Sequence, residues 1–470
     1  MRMPDRGCDI NREWLEDILT QHEAKTSPDI SLIITSFQVS PGTNPGENFG
    51  SDVVRVKAKG QLVSSGFEKQ NSTKEYNLFM KFLRGNYFSR QMGNQMQAPL
   101  RELLIFSDII TELNEFQAKM TGDKYRISIP GFVYGICTTD EYVLVMQDLS
   151  IDGYVMLNKR ESLDLPHTLM AVDSLARLHA VSLAFSRIHN VHFLKKYPSF
   201  NTASFAEVFY TTSVAIIYDG VIRAAEQRGN QYKHLLAMMA SNKEAVLQKF
   251  AEALKNTNES SKVTCLAHGD FWTNNLMFRN SENNGKEVQL PLDIMLIDWG
   301  ITAWRNPLLD LQYFIHCSTT RNLRKDHLGE ILHRYHSTFT AATNDLGSPV
   351  DNWQFEDFMA EWRRTHVFGS LIGMMNTLVT MSESGKNFNK SDDLQTTGVR
   401  AYIEYWMARV MAPIMFFIFS LPPFSFMIRR SMEKIFENLV EELCSWKNDT
   451  LQFRVFDLIE EAFDSGLLER

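Results

Sequence analysis

The chain is poor in cysteine, in clustered positive charge and in signal-like apolar sequence at its start. Five cysteines (Cys8, Cys137, Cys265, Cys317 and Cys444) are scattered through 470 residues, with no CxxC pair. That excludes a disulfide framework and a zinc ribbon. Cys265 and His268 have a ligand-like gap, but no second pair completes a metal site. Net charge is −8 and no long run of Lys or Arg occurs, so non-specific nucleic-acid binding is excluded as a function class. Met1 to Asn11 is polar and lacks the apolar core of a secretory signal, so a reducing, cytoplasmic location is the expectation. The sequence leaves the oligomeric state open.

One charge-free stretch, Val410 to Ile428, interrupts this picture. Its length approaches a bilayer span, but Pro413, Pro422 and Pro423 argue against one straight spanning helix. A buried or partner-covered helix is the favoured reading. A membrane-surface contact through 410–428 and a true span are the alternatives.

What is present in strength is a polar constellation. His268-Gly269-Asp270-Phe271-Trp272-Thr273-Asn274-Asn275 is followed by Ile297-Asp298-Trp299-Gly300, with Asp298 23 residues after Asn275. An Asp, an Asn five residues on, and a second Asp closing an apolar run form a phosphoryl-transfer set. One carboxylate, Asp270, takes the proton of an attacking hydroxyl; Asn275 and Asp298 supply oxygens to Mg²⁺ on a nucleotide. Between them, Leu276 to Phe278, and Val288 to Leu290 with Ile294 to Ile297, read as strands around an Asn284-Gly285 turn. A hairpin returns its open ends to about 5 Å of each other, so Asn275 and Asp298 would flank one position. A lone motif would be a polar turn or an unrelated Asp; the two joined by a hairpin argue otherwise.

The rest of the chain divides by character. Trp14, Leu15, Ile18 and Leu19 have helical spacing, and strands are expected at 32–39, 53–57 and 76–83. The Gly- and Asn-rich stretch from Pro41 to Ser51 is either an ordinary hairpin loop or a phosphate-covering loop. Lys81 interrupts the apolar strand Tyr76 to Leu83 and needs a counter-charge or a phosphate; a snorkelling edge-strand lysine is the bland alternative. Glu102, on an amphipathic helix from Leu100 to about Phe116, is its candidate partner. Phe132 to Gly135 and Tyr142 to Met146 form an expected hairpin. From His167 the pattern is helical, with His179 inside an apolar stripe as a satisfied core histidine. Ser241-Asn242-Lys243-Glu244 reads as a capping box opening a helix through Leu254.

Together these residues resemble the ecdysteroid kinase-like family, which belongs with the choline kinases and aminoglycoside phosphotransferases. The resemblance is carried by GENFGS (46–51), Lys81, Glu102, VMQDL (145–149), LARLHAVSLAF (175–185), HGDFWTNN (268–275), LIDWG (296–300) and PLLDLQYFI (307–315). It implies an α+β, two-lobed, protein-kinase-like fold, with a small β-rich lobe over 1–146 and a large, mainly helical lobe over 147–470. It implies that Asp270 is the catalytic base and that Asn275 and Asp298 are Mg²⁺ ligands. Lys81, anchored by Glu102, would contact the phosphates of ATP; Gly46, Asn48 and Ser51 would cover them; Met146 and Asp148 would frame the adenine hinge. His268 would brace the loop, and Asp310 would cap its backbone. The implied activity is an ATP-dependent kinase acting on the hydroxyl of an apolar acceptor, such as an ecdysteroid or a hydroxylated xenobiotic. A choline- or aminoglycoside-type kinase for a polar alcohol, and a non-catalytic pseudokinase-like ligand-binding protein, are the rivals. Gln147 stands where the family commonly has an acid, Trp299-Gly300 where Phe-Gln is frequent, and 382–450 matches poorly. Nine of the 22 methionines fall between Met359 and Met432, either as core filling or as an adaptable apolar surface.

Overall fold

The structure is a computed structural model that describes residue 4 and residues 7–43, 51–64, 72–83, 96–138, 141–201, 205–255, 263–282, 289–383 and 425–467. The described residues form two compact units. One draws on Met1–Thr111 and Ile129–Val155, the other on Glu112–Ser128, Met156–Phe388 and Met415–Arg470.

The first unit is a five-stranded antiparallel sheet. Helix α1 (Arg12–Ala24) starts where the Asn11 side chain accepts the Trp14 N–H at 2.9 Å, the usual use of Asn at an N-cap. Its apolar stripe, Trp14, Leu15, Ile18 and Leu19, is buried. The strands are β1 (Ile30–Pro41), β2 (Ser51–Ser64), β3 (Ser72–Leu83), β4 (Phe132–Cys137) and β5 (Tyr142–Gln147), in spatial order β1-β2-β3-β5-β4. Residues 32–34 and 37–39 belong to one strand with a register shift between Ile34 and Ser36. On β3, alternation buries Tyr76, Leu78, Met80 and Phe82 against the α1 stripe and puts Lys81 on the opposite face. The helix carrying Glu102 runs as α2 (Ala98–Leu104), a π turn (Ile105–Ile109) and α3 (Ile110–Thr121).

The second unit is mainly helical. Its helices are α4 (Leu165–Ile188), α5 (Phe205–Gln227), α6 (Lys233–Lys255), α7 (Pro307–Ser318), α8 (Arg321–Asp345), α9 (Phe355–Met381), α10 (Ser425–Ser445) and α11 (Asp449–Asp464). Four short strands sit among them: β6 (Cys265–Ala267), β7 (Leu276–Asn280), β8 (Pro291–Leu296) and β9 (Ala303–Arg305). One large apolar cluster joins α5, α6, α9, α10 and α11. The capping box expected at Ser241 is absent. Helix α6 starts at Lys233, after a 3-10 turn that begins at Gly229 (φ +66°), and runs through Ser241, whose Oγ donates back to the Met238 carbonyl. Serine satisfies its hydroxyl mid-helix in this way, so an S-x-x-E pattern does not by itself mark a start. The apolar stretch 410–424, the turn at Asn284-Gly285, and Gly46 and Asn48 lie outside the described residues. From Ser425 the chain is helix α10.

Candidate active site

In the first unit Lys81 and Glu102 meet as an ion pair. Lys81 Nζ donates to Glu102 Oε1 at 2.9 Å, and Tyr142 Oη donates to Oε2 at 2.8 Å. The Glu102 side chain is 5% exposed and that of Lys81 16%, so the pair is held in one geometry rather than sampled in water. Ser51 opens β2 opposite Leu83. Met146 is buried on β5, opposite Phe79 and Phe132. Asp148 is turned inward. Its Oδ1 accepts the backbone N–H and hydroxyl of Ser150, at 3.1 and 2.7 Å, and its Oδ2 lies 3.2 Å from Arg55 Nε. The backbone N–H groups of Gln147 and Asp148 are committed to the Gly131 and Asn77 carbonyls.

In the second unit the hairpin forms as the sequence reads. β7 pairs with β8, with Leu276 opposite Leu296, and the Ile297 N–H donates to the Asn275 carbonyl at 3.1 Å. That juxtaposes Asn275 with the chain entering Asp298. Asp298 has φ +63°, a left-handed conformation uncommon for any side chain but glycine. Directly after it, Trp299 is fully buried and its indole donates to the Leu296 carbonyl, which fixes where Asp298 emerges.

The loop carrying Asp270 is held from three sides. Gly269 has φ +89°, and a Cβ there would stand 2.1 Å from the Ile301 carbonyl oxygen, so glycine is required. His268 Nε2 donates to the Ile297 carbonyl at 3.1 Å and Nδ1 accepts the Asp270 N–H at 3.3 Å, which makes His268 the neutral Nε2–H tautomer. Burial, opposed by the charges of Asp310 and Asp298, pushes His268 down to about 4. Asp310, on α7, accepts the backbone N–H groups of His268 (2.5 Å) and Gly269 (3.0 Å), Arg305 Nη2 (3.1 Å) and His179 Nε2 (3.3 Å). Burial would raise its carboxyl, but the His179 hydrogen bond and the Arg305 charge hold it well below the ordinary carboxylate range. His179 is thus a satisfied core histidine, its Nδ1 accepting from Tyr335 at 2.7 Å.

Asp270 itself is half-buried. Asn275 Nδ2 donates to its Oδ2 and to its backbone carbonyl, both at 2.8 Å, and Tyr313 Oη donates to its Oδ1 at 2.7 Å. Burial pushes Asp270 up to about 6; the Tyr313, Asn275 and Trp272 hydrogen bonds pull it down, and the neighbouring charge of Asp298 pushes it up. Two carboxylates therefore interact across the end of one hairpin. Asn275 spends its amide nitrogen on Asp270, which leaves the amide oxygen to act as a ligand alongside the Asp298 carboxylate. Among the described residues no group of three or more His, Cys, Asp or Glu gathers as a metal site, at this hairpin end or elsewhere. Sequence reading missed Tyr313 and Arg305. The only signal for Tyr313 was its place one helical turn after Asp310.

Residues 45–348 match the ecdysteroid kinase-like family. A comparison with curated proteins finds no match. Among solved structures, choline kinase from Cryptosporidium parvum Iowa II is similar at 10% identity over 93% of this chain and 99% of that one, with a TM-score of 0.34. The GDP complex of wild-type aminoglycoside 2'-phosphotransferase-IIIa is similar at 13% identity over 81% and 96%, with a TM-score of 0.35. Scores this low give those likenesses no weight of their own. The family match spans well over half the chain, and the chain belongs to the ecdysteroid kinase-like family, as a phosphotransferase acting on hydroxyl groups.

Proposed function

We propose that the chain is an ATP-dependent small-molecule kinase that transfers the γ-phosphoryl group to the hydroxyl of an apolar acceptor, an ecdysteroid or a hydroxylated xenobiotic. The observation that carries this reading is the restrained Asp270 carboxylate beside the Asn275–Asp298 hairpin end. Asn275 Oδ1 and the Asp298 carboxylate are hard oxygen donors, and one or two such ligands suit Mg²⁺, which keeps phosphate oxygens and water for the rest. When bound, Mg²⁺ offsets charge growing on the transferring phosphoryl oxygens. Asp270 orients the acceptor hydroxyl and takes its proton. The acceptor oxygen bonds to the γ-phosphorus, the bond from that phosphorus to the β–γ bridging oxygen breaks, and its electron pair leaves with ADP. By the family resemblance, Lys81, anchored by Glu102, would add positive charge at the phosphates, and Gly46, Asn48 and Ser51 would cover them.

The apolar acceptor class rests on the family resemblance, and one observation beside Asp270 is compatible with it: Tyr313, which touches Asp270, is half-buried against the large apolar cluster. A reducing, cytoplasmic location is part of the same proposal. The test is a panel of steroid, xenobiotic, choline and aminoglycoside alcohols incubated with Mg·ATP, with phosphorylated products read by mass. Phosphorylated steroid or xenobiotic, lost in Asp270→Asn with ATP binding retained, is the expected result. Phosphorylation of the polar alcohols alone would overturn the acceptor class.

A further inference from the structure

Helix α7 grips the loop at two points. Its start is fixed by Pro307 and by the Asn306 side chain, which accepts the Leu308 N–H at 2.8 Å. Asp310 then holds the loop's backbone at His268 and Gly269. Tyr313 follows one turn later on the same face, where residues three apart are neighbours. Its hydroxyl reaches the loop's reactive side chain, Oδ1 of Asp270.

The Asp270 carboxylate is therefore restrained at both oxygens, Oδ2 by Asn275 and Oδ1 by Tyr313. A carboxylate has a broad, soft terminal torsion, so one hydrogen bond leaves its plane free to swing. Asn275 and Tyr313, on opposite oxygens, fix that plane, with Trp272 a further hydrogen-bonding neighbour. Each carboxylate oxygen accepts about two hydrogen bonds, so the phenol alone does not fill Oδ1. We propose that Tyr313 is a positioning residue for phosphoryl transfer: its hydroxyl sets the Asp270 carboxylate plane so that Oδ1 faces the acceptor hydroxyl. This rests on the reading of Asp270 as the base. Tyr313 takes no proton in the step; the acceptor proton still passes to Asp270, and the phenol stays a donor throughout. A merely structural Tyr313 would fill space beside Tyr210 and Cys317, and its ring alone would suffice.

The test removes the hydroxyl and keeps the ring. Tyr313→Phe, and 4-fluorophenylalanine at 313 as a second variant that fills the hydroxyl's volume without donating, are assayed with Mg·ATP and ecdysone, or with water as acceptor where ecdysone is not taken. Orientation of a reacting group is worth about 10- to 100-fold in rate, so kcat falls by about that factor. Acceptor KM and Mg·ADP affinity stay within about threefold, because neither binding step uses the carboxylate plane. Three results would overturn the inference: kcat within about threefold of wild type, a loss confined to acceptor KM, or a rise in kcat showing that the hydroxyl blocks the base. Asp270→Asn is run in parallel. If it is inactive while Tyr313→Phe behaves as wild type, only the positioning role fails; if Asp270→Asn turns over, the base assignment itself fails.

Discussion

Asp310→Asn isolates the bracing of the loop. The native carboxylate faces four donors: the Gly269 N–H and Arg305 on Oδ1, the His268 N–H and His179 on Oδ2. Asparagine keeps one acceptor oxygen, so whichever way the amide turns, its NH₂ meets two of those donors. His179 relieves one clash by moving its proton to Nδ1 and letting the Tyr335 hydroxyl, 2.7 Å away, accept. No such exchange is open to the backbone N–H groups. The substitution also leaves Arg305, with a side chain 13% exposed, without its counter-charge. Breaking a buried pair costs about 3–5 kcal/mol, and a stranded buried donor about 1–3 kcal/mol. These overlap in one network, so about 4 kcal/mol is the expected loss of unfolding free energy in the helical unit. Urea unfolding followed by tryptophan fluorescence reads it. Because the loop's backbone is what Asp310 holds, kcat falls with it, by about 100-fold for a shift near 1 Å. A variant within about 1 kcal/mol of wild type and with unchanged kcat would refute the bracing role.

Gly269→Ala places a methyl group 2.1 Å from a backbone oxygen at φ +89°, so the loop must move; kcat drops by about 100-fold or more, with nucleotide affinity retained, in steady-state kinetics and calorimetry. Glu102→Gln removes the carboxylate that holds Lys81 at 2.9 Å, and ATP KM rises by about tenfold or more while the acceptor KM changes little. On acidification, buried neutral His268 titrates at about 4 in the folded chain against 6.5 ordinarily, so the unfolded chain holds the extra proton across that window. Stability is full above about 6.5 and is lost as pH falls towards 4, at up to about 1.4 kcal/mol per pH unit for this residue. His179, His316 and His366, also lowered by burial, add to the slope, and His268→Gln makes it shallower in thermal melts across pH. A slope unchanged in that variant would count against a buried neutral His268.

Much of the site was legible because its signals are local. The Asp270–Asn275 spacing and the hairpin to Asp298 depend on turn chemistry and alternation over some thirty residues, and the strand pairing of Leu276 with Leu296 follows that pattern. Lys81 stood out as a charge in an apolar strand, and Glu102 as an acid on an amphipathic helix; the structure joins them at 2.9 Å. What escaped depends on packing or on competing local options. The π turn at Ile105–Ile109 has no residue pattern of its own. Ser241 satisfies a hydroxyl equally well inside a helix as at its start. The inward role of Asp148 needs Arg55 from a distant strand, and Tyr313 touches Asp270 only once α7 is folded against the loop.

The most direct measurement is calorimetric titration of ADP with and without Mg²⁺, on the wild-type chain and on Asp298→Ala. With the metal held at the hairpin end, Mg²⁺ tightens ADP binding to the wild type by about tenfold or more, and Asp298→Ala loses this gain while keeping its metal-free affinity. Full Mg²⁺ enhancement in Asp298→Ala would contradict the assignment of the hairpin end as the metal position.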